Sequence, residues 1–181
     1  MTWTWANLLT AIRALTIAPI VALMFAGRWG WASVLFTVAA ITDYYDGRLA
    51  RRFNQASALG GVADHATDAL FVTVCTWACA SMGTLPMLLS VMIAAAFVQY
   101  VLDSKALAGQ SLRASQLGRY NGIAYFVIVG VVVIAHGVGL WPWLATATYW
   151  CGWLLVATSA ISMADRAATY LRLRSARKPS A

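Results

Sequence analysis

The sequence predicts an all-α membrane protein with six transmembrane helices and both termini in the cytoplasm. Of its 181 residues, 61% are hydrophobic and only 10% are charged, whereas a soluble domain carries roughly 25% charged residues. The apolar residues fall into six long stretches, and nearly all positive charges lie on one set of connections between them. So little polar surface cannot cover a globule in water, and we therefore expect lipid around the chain.

Six apolar stretches mark the predicted helices, at lengths near the roughly 20 residues that cross a bilayer. They cover residues 8–26, 31–45, 62–82, 85–102, 120–136 and 144–163. The second stretch is short if it ends at Tyr45, so we expect its helix to continue through the charged segment that follows. Turns that contain glycine or proline, at residues 27–30, 83–86 and 137–142, join the stretches in pairs.

Lysine and arginine predict the orientation of these helices. Twelve of the 13 lie near the start of the first stretch, after the second, after the fourth or after the sixth, and only Arg28 lies in the opposite turns. Cytoplasmic connections are the ones rich in Lys and Arg, so this asymmetry predicts an even number of crossings. Tryptophans would form an aromatic belt at the other interface: Trp29, Trp31, Trp141 and Trp143.

The length leaves room for one membrane domain, predicted at residues 1–165, with a basic cytoplasmic tail at 166–181. The N-terminal segment lacks the basic start and the cleavage site of a signal peptide, and we expect it to be retained. The net charge of +7 follows from the topology, which favours anionic lipid headgroups rather than nucleic acid as partners. Three cysteines lie in apolar runs, and two of them, Cys75 and Cys79, are one helical turn apart, where we expect them to pack rather than to bridge or to bind metal.

Aspartates give the first indication of chemistry. All six acidic residues are aspartates, and four of them flank one predicted cytoplasmic connection: Asp43, Asp46, Asp64 and Asp68. Spacings of three and four place each pair on one face of its helix. The connection is short, so the two helices are predicted to be antiparallel neighbours whose four carboxylates face one another. Ionisable groups at membrane depth are costly and usually functional.

Four neighbouring carboxylates repel one another, and two divalent cations would balance their charge. Oxygen ligands without cysteine or paired histidine favour Mg²⁺ or Mn²⁺ over zinc. Gly47, Ala50 and Gly60 share the same helix faces, where their small size lets a flat base or a pyrophosphate approach the backbone.

The segment DYYDGRLAR, followed by eight residues and then GGVADHATD, resembles the signature of the CDP-alcohol phosphotransferase family. Every family spacing is satisfied, at Asp43, Asp46, Gly47, Ala50, Arg51, Gly60, Asp64 and Asp68. The resemblance implies an integral enzyme of the inner membrane with its active site at the cytoplasmic face. Such an enzyme transfers a phosphatidyl group from CDP-diacylglycerol to an alcohol acceptor and releases CMP. A homodimer is also implied.

The resemblance further implies a role for each matching residue. Metal ligands would be Asp43, Asp46, Asp64 and Asp68, and Asp68 would also act as general base. The CDP moiety would lie against Gly47, Ala50 and Gly60, and Arg51 would pair with a carboxylate or a phosphate. Candidates for the acceptor phosphate are the basic residues before the fifth helix: Lys105, Arg113 and Arg119.

The choice of acceptor follows from a second resemblance. Asn7, Thr10, Arg13 and Pro19 resemble the start of the phosphatidylglycerophosphate synthase branch, which implies glycerol 3-phosphate. Many members of that branch have proline after the third aspartate and lysine after the fourth, where this chain has His65 and Ala69. Inositol phosphate, serine and phosphatidylglycerol therefore remain alternative acceptors.

Two individual residues are left with less specific roles. For Arg13 two roles remain open: it could belong to the substrate pocket, or it could lie at the membrane interface. His65 is expected at the surface or behind the ligands rather than on the substrate.

Two other classes of protein compete with a transferase. The four aspartates would also suit a divalent-cation carrier, but their spacing matches an enzyme signature throughout. An inactive membrane scaffold would have no need of the complete aspartate set.

Overall fold

Six helices and the turns between them make up the described part of the chain. The computed structural model describes the backbone of residues 5–52, 58–103 and 116–176 and the side chains of residues 10–43, 64–102 and 116–169. The helices are α1 (Trp5–Phe25), α2 (Trp29–Arg52), α3 (Ala58–Ser81), α4 (Met87–Asp103), α5 (Gln116–Gly137) and α6 (Trp141–Ala176). The predicted all-α class with six helices is confirmed.

Two helices extend well beyond the apolar stretches that predicted them. α2 continues past Tyr45 to Arg52, as expected from the shortness of the second stretch. α6 continues past Met163, where its apolar stretch ends, to Ala176. The added segment is rich in Ala, Leu and Arg, which are good helix formers, so the helix continues beyond the end of the apolar stretch.

Each of the three short turns contains a glycine just after the end of a helix, in a backbone conformation that favours glycine. Backbone φ is +67° at Gly27, +75° at Gly83 and +76° at Gly139, a left-handed conformation that other residues adopt only with strain. The residue after each glycine donates a backbone hydrogen bond to the carbonyl five residues earlier, as in a Schellman motif. These bonds run from Arg28 to Leu23, from Thr84 to Cys79 and from Leu140 to Ala135.

The three turns lie at one end of the molecule. Phe25 of α1 contacts Trp77 of α3, with ring centroids 5.9 Å apart, and Trp29 of α2 stacks on His136 of α5 at 4.0 Å. The other face of His136 carries Trp141 of α6 at 4.2 Å. Trp31 and Trp143, two residues after Trp29 and Trp141 along the chain, are exposed, as expected of tryptophans at a membrane interface.

The helices form a ring around a small core. α1 packs against α2 and α3, α5 against α2 and α6, and α4 against α3 and α6, while α3 and α5 meet across the middle. Phe36, Phe71 and Phe126 from α2, α3 and α5 fill that middle, with ring centroids 5.1–5.9 Å apart. Cys75 and Cys79 are buried free thiols in this core, in agreement with the packing role expected of them.

Large apolar side chains also cover the outside of the ring, from Leu15 on α1 to Ile161 on α6. Two described segments, Gln116–Gly137 and Trp141–Thr169, are long and apolar enough to cross a bilayer, and Thr10–Phe25 and Met87–Leu102 are apolar but shorter. Only 22% of the apolar window in the second long segment is buried within the protein, so its apolar surface faces outward. An apolar exterior of this extent is expected of an all-α membrane protein.

The close approach of α6 to the second turn allows a test of the packing. A Cβ at Gly152 would lie 2.5 Å from Cδ of Pro86, whose ring cannot rotate away, whereas a Cβ at Gly122 would meet nothing within 4 Å. We expect Gly152→Ala to lower the free energy of unfolding by about 1–3 kcal/mol, as overpacking does. Gly122→Ala should leave it unchanged or raise it slightly, because alanine favours helix. Thermal unfolding in detergent, followed by circular dichroism, measures both; equal melting temperatures would contradict the packing.

Candidate metal centre

Three aspartates from two helices meet at the end of the ring opposite the turns. Asp43 lies on α2, and Asp64 and Asp68 lie one turn apart on α3. One carboxylate oxygen of each lies within 4.8 Å of the other two. The spacing of four places Asp64 and Asp68 on one face of α3, and α2 brings Asp43 to that face. The structure thus brings these three residues together in the way that their spacing predicts.

A buried arginine from α1 lies among the three carboxylates. Arg13 is only 3% exposed, and its guanidinium pairs with Asp43 through Nη2 and with Asp68 through Nη1. The same Nη1 lies 3.3 Å from Oδ1 of Asp64. One turn earlier on α1, Thr10 donates its hydroxyl to that oxygen at 3.4 Å. A buried guanidinium needs such partners to offset its loss of water, so the contacts connect α1 to both α2 and α3.

The cluster is negatively charged and accessible from one side. Among the described side chains, three carboxylates surround one guanidinium, which leaves two negative charges unbalanced within that set. The side chains of Asp43, Asp64 and Asp68 are 40%, 47% and 39% exposed, whereas Arg13 is buried. Arg13 therefore closes the inner side of the cluster, and a cation that approaches from outside meets the unbalanced negative charge.

The donor set fits a hard divalent cation. Every ligand in the cluster is a carboxylate oxygen, and within the described residues neither cysteine nor histidine belongs to it. Two oxygens on opposite sides of one Mg²⁺ are about 4.2 Å apart, and the three carboxylate oxygens lie within 4.8 Å of one another, so they are near enough to share an ion. Asp43, Asp64 and Asp68 therefore form a candidate centre for Mg²⁺ or Mn²⁺.

Other residues of the predicted site lie outside the described side chains. Five fall on α2 or α3, but only their backbone is described: Asp46, Gly47, Ala50, Arg51 and Gly60. Two lie outside the described residues altogether: Lys105 and Arg113. Arg119 is exposed on the first turn of α5. The roles given to these residues stay predictions.

Sequence reasoning left Arg13 undecided and assigned Thr10 no contact. The spacing of three places both on one face of α1, but an arginine near a helix start is explained equally well by membrane topology. Only the fold distinguishes the two explanations, because it buries Arg13 against carboxylates of other helices. His65, by contrast, is exposed and lies near Tyr100 of α4, with ring centroids 4.8 Å apart, consistent with the surface role expected of it.

An apolar groove of about 710 Å³ lies between α2 and α5. On α2 it is lined by Phe36, Thr37, Ala40 and Ile41, which belong to the two turns before Asp43. Residues from the opposite end of the ring, including Leu140, line its far part. The groove therefore extends along the outside of the ring between α2 and α5, and Ala40 in its lining lies about one turn before Asp43 on α2.

Comparison with known proteins assigns the chain to a family. The family model for CDP-alcohol phosphatidyltransferase matches residues 3–161. The chain belongs to the CDP-alcohol phosphatidyltransferase family. The match includes α1 with Arg13 as well as the whole aspartate segment, so it covers every helix that contributes to the cluster.

Relatives within the CDP-alcohol phosphatidyltransferase family carry informative names. A CDP-diacylglycerol–glycerol-3-phosphate 3-phosphatidyltransferase of Cereibacter sphaeroides is 29% identical over 148 residues, which cover 76% of this chain and 66% of that protein. The protein of the same name from Escherichia coli is 39% identical over 72 residues, 38% of this chain and 39% of that protein. A cardiolipin synthase (CMP-forming) of Streptomyces coelicolor is 46% identical over 43 residues, 24% of this chain and 20% of that protein. The aligned part thus spans between a fifth and about two thirds of these relatives.

Metal binding at the cluster can be measured directly. We expect the chelator-treated protein to bind Mn²⁺, and Asp64→Asn to weaken binding roughly tenfold or more, since even residues behind metal ligands change affinity by that factor. Asp165→Asn is the matched control, because Asp165 is an exposed aspartate of α6. Electron paramagnetic resonance of free Mn²⁺ gives both affinities. Equal affinities in the two variants would rule out the cluster as the binding site.

Proposed function

We propose that this protein is a phospholipid-synthesising transferase that moves the phosphatidyl group of CDP-diacylglycerol onto glycerol 3-phosphate and releases CMP. The convergence of Asp43, Asp64 and Asp68 at one end of the ring is the observation on which the proposal rests. Family membership over residues 3–161 supports the reaction class. The names of the relatives from Cereibacter sphaeroides and Escherichia coli support glycerol 3-phosphate as the acceptor.

The reaction forms a bond between the acceptor hydroxyl oxygen and the phosphorus that bears diacylglycerol, and it breaks the bond from that phosphorus to CMP. Asp43, Asp46, Asp64 and Asp68 would hold two divalent cations, Mg²⁺ or Mn²⁺, which when bound neutralise the pyrophosphate and the departing CMP. Asp68 accepts the proton of the attacking hydroxyl. Its carboxylate is 39% exposed, so an acceptor arriving from water has access to it. The products are phosphatidylglycerol phosphate and CMP.

Neighbouring residues are assigned to the rest of the substrates. Gly47, Ala50 and Gly60 would contact the CDP moiety, with Arg51 beside its phosphates. Arginine and lysine side chains suit an acceptor phosphate, and the assigned residues are Lys105, Arg113 and Arg119. Phosphatidylglycerol is the acceptor to test second, because a cardiolipin synthase (CMP-forming) is among the relatives.

The membrane arrangement is part of the proposal. All six helices cross the inner membrane, with both termini and the carboxylate cluster at the cytoplasmic face. Support comes from the charge distribution along the sequence, in which 12 of 13 basic residues lie outside the three short turns, and from the tryptophans beside those turns. The homodimer and the boundary between residues 165 and 166 stay predictions.

The groove between α2 and α5 is the proposed site for an acyl chain of the donor. Its lining is apolar, as hydrocarbon requires, and it includes Ala40, which lies about one turn before Asp43 on a neighbouring face of α2. A lipid whose chain lies in the groove would therefore have its pyrophosphate close to the cluster. This continuity between groove and cluster favours a lipid donor over a water-soluble CDP-alcohol.

Release of CMP tests the function. Proteoliposomes that contain the protein, CDP-diacylglycerol and Mg²⁺ should release CMP when glycerol 3-phosphate is added. Asp68→Asn should lower the rate by about 10²–10⁴-fold, the usual contribution of a general base, while Asp165→Asn retains it. Inositol phosphate, serine and phosphatidylglycerol, supplied in parallel, identify the acceptor. Normal turnover by Asp68→Asn would exclude its role as base, and a cation carrier or inactive scaffold would release no CMP with any acceptor.

The groove gives a separate test of donor binding. Ala40→Trp places a large side chain in the groove, and we expect KM for CDP-diacylglycerol to rise roughly tenfold, as if about two methylene groups of ~0.8 kcal/mol each were no longer buried. Val38→Trp is the control, since Val38 is an exposed residue of α2 outside the groove lining. With a CDP-diacylglycerol that has short acyl chains, the difference in KM between Ala40→Trp and Val38→Trp should be smaller. If both tryptophans raise KM equally, the acyl chain lies elsewhere.

A further inference from the structure

We propose that Arg13 is an internal counter-cation that holds the carboxylate cluster together and gives up part of its pairing when divalent cations bind. The inference rests on the proposed function and adds a positioning residue from α1 to it. Neither the aspartate signature nor the predicted ligand set contains this residue.

Arg13 and a divalent cation require the same atoms. The guanidinium contacts Oδ1 of Asp43, Oδ1 of Asp64 and Oδ1 of Asp68. A cation coordinated by those oxygens would lie a few ångströms from the guanidinium, where like charges repel strongly in a partly buried site. Full pairing of Arg13 and full coordination of a metal are therefore opposed, and each weakens the other.

The surroundings of Arg13 restrict where its guanidinium can move. It is 3% exposed, and Ile17, one turn further along α1, is also buried. The carbonyl of Arg13 accepts a hydrogen bond from the Thr16 hydroxyl at 2.7 Å, within a continuous helix. The side chain is therefore shielded from water in its present position and needs an anion nearby. The anion that arrives with the metal is the pyrophosphate of the donor, and the planar guanidinium suits its oxygens.

Two consequences follow for the order of binding. Before cations bind, Arg13 offsets part of the repulsion among three carboxylates, so the cluster stays assembled. When cations bind alone, they must displace this pairing, which lowers their affinity. When the donor is present, its phosphates restore a partner to Arg13, so metal and donor should bind cooperatively.

The decisive variant is Arg13→Gln, which removes the charge and retains a hydrogen-bonding side chain. In chelator-treated protein we expect its melting temperature to fall below that of the wild type, because three carboxylates lose their only known cationic partner among the described residues. Saturating Mn²⁺ should remove this difference. Its affinity for Mn²⁺ should rise roughly tenfold or more, since the cluster gains a full negative charge.

Charge-balanced variants distinguish this role from simple packing. Arg13→Gln combined with Asp64→Asn restores two unbalanced negative charges and should recover stability without metal. Arg13→Gln combined with Asp165→Asn should not. Arg13→Lys retains the charge, so its Mn²⁺ affinity should stay near the wild-type value. If the Arg13→Gln protein folds and can be purified only with Mn²⁺ present, that dependence on metal supports the proposal. The Mn²⁺ affinities are then measured on Arg13→Lys and on the charge-balanced double variant.

The opposite results are equally clear. A melting temperature that stays low in saturating Mn²⁺, or an Mn²⁺ affinity equal to or weaker than that of the wild type, would make Arg13 a packing residue only. Such a result beside normal CMP release would overturn this inference and leave the proposed function intact. Absence of Mn²⁺ binding in the wild-type protein would overturn both.

Discussion

A buried positive charge fixes the arrangement of the first three helices. Arg13 has almost no contact with water, and an unpaired guanidinium in that position would cost several kcal/mol. Its partners come from α2 and α3, so α1 must lie at the height where residue 13 is level with residues 43, 64 and 68. Further from the cluster, toward the middle of the ring, the contacts between helices are apolar, and Phe36, Phe71 and Phe126 pack against one another there. One polar cluster therefore sets the register that the apolar packing then maintains.

The two ends of the ring differ in structure: one consists of tight turns, and the other carries the charged cluster. At the turn end, three glycines reverse the chain within a few residues, and backbone hydrogen bonds satisfy the helix ends. Trp29, His136 and Trp141 form a stack there that joins α2, α5 and α6. The opposite end carries the partly exposed carboxylates of Asp43, Asp64 and Asp68. Rigid turns at one end thus leave the other end free to supply the polar groups of a site.

Periodicity and charge predicted the helices and the meeting of the aspartates because both depend on local spacing. Asp64 and Asp68 share a face in any α-helix, and a short connection brings Asp43 to them. The contacts of Arg13 depend on the height of α1 relative to α3, which no local pattern encodes. The continuation of α6 past Met163 was not predicted either, because hydropathy records where an apolar stretch ends and not where helix propensity ends.

α2 contributes residues both to the apolar groove and to the carboxylate cluster. Ala40 lines the apolar groove, and Asp43, about one turn later on α2, belongs to the cluster, a separation of about 4.5 Å along the helix axis between positions that are neighbours on the helix surface. A donor with acyl chains and a pyrophosphate changes from apolar to charged over a similarly short distance. The helix therefore repeats the polarity of the lipid it is proposed to bind. In the proposed function this match would hold the reacting phosphorus at the depth where an acceptor from water can reach it. It gives a physical reason for carboxylates that are partly exposed around an arginine that is buried.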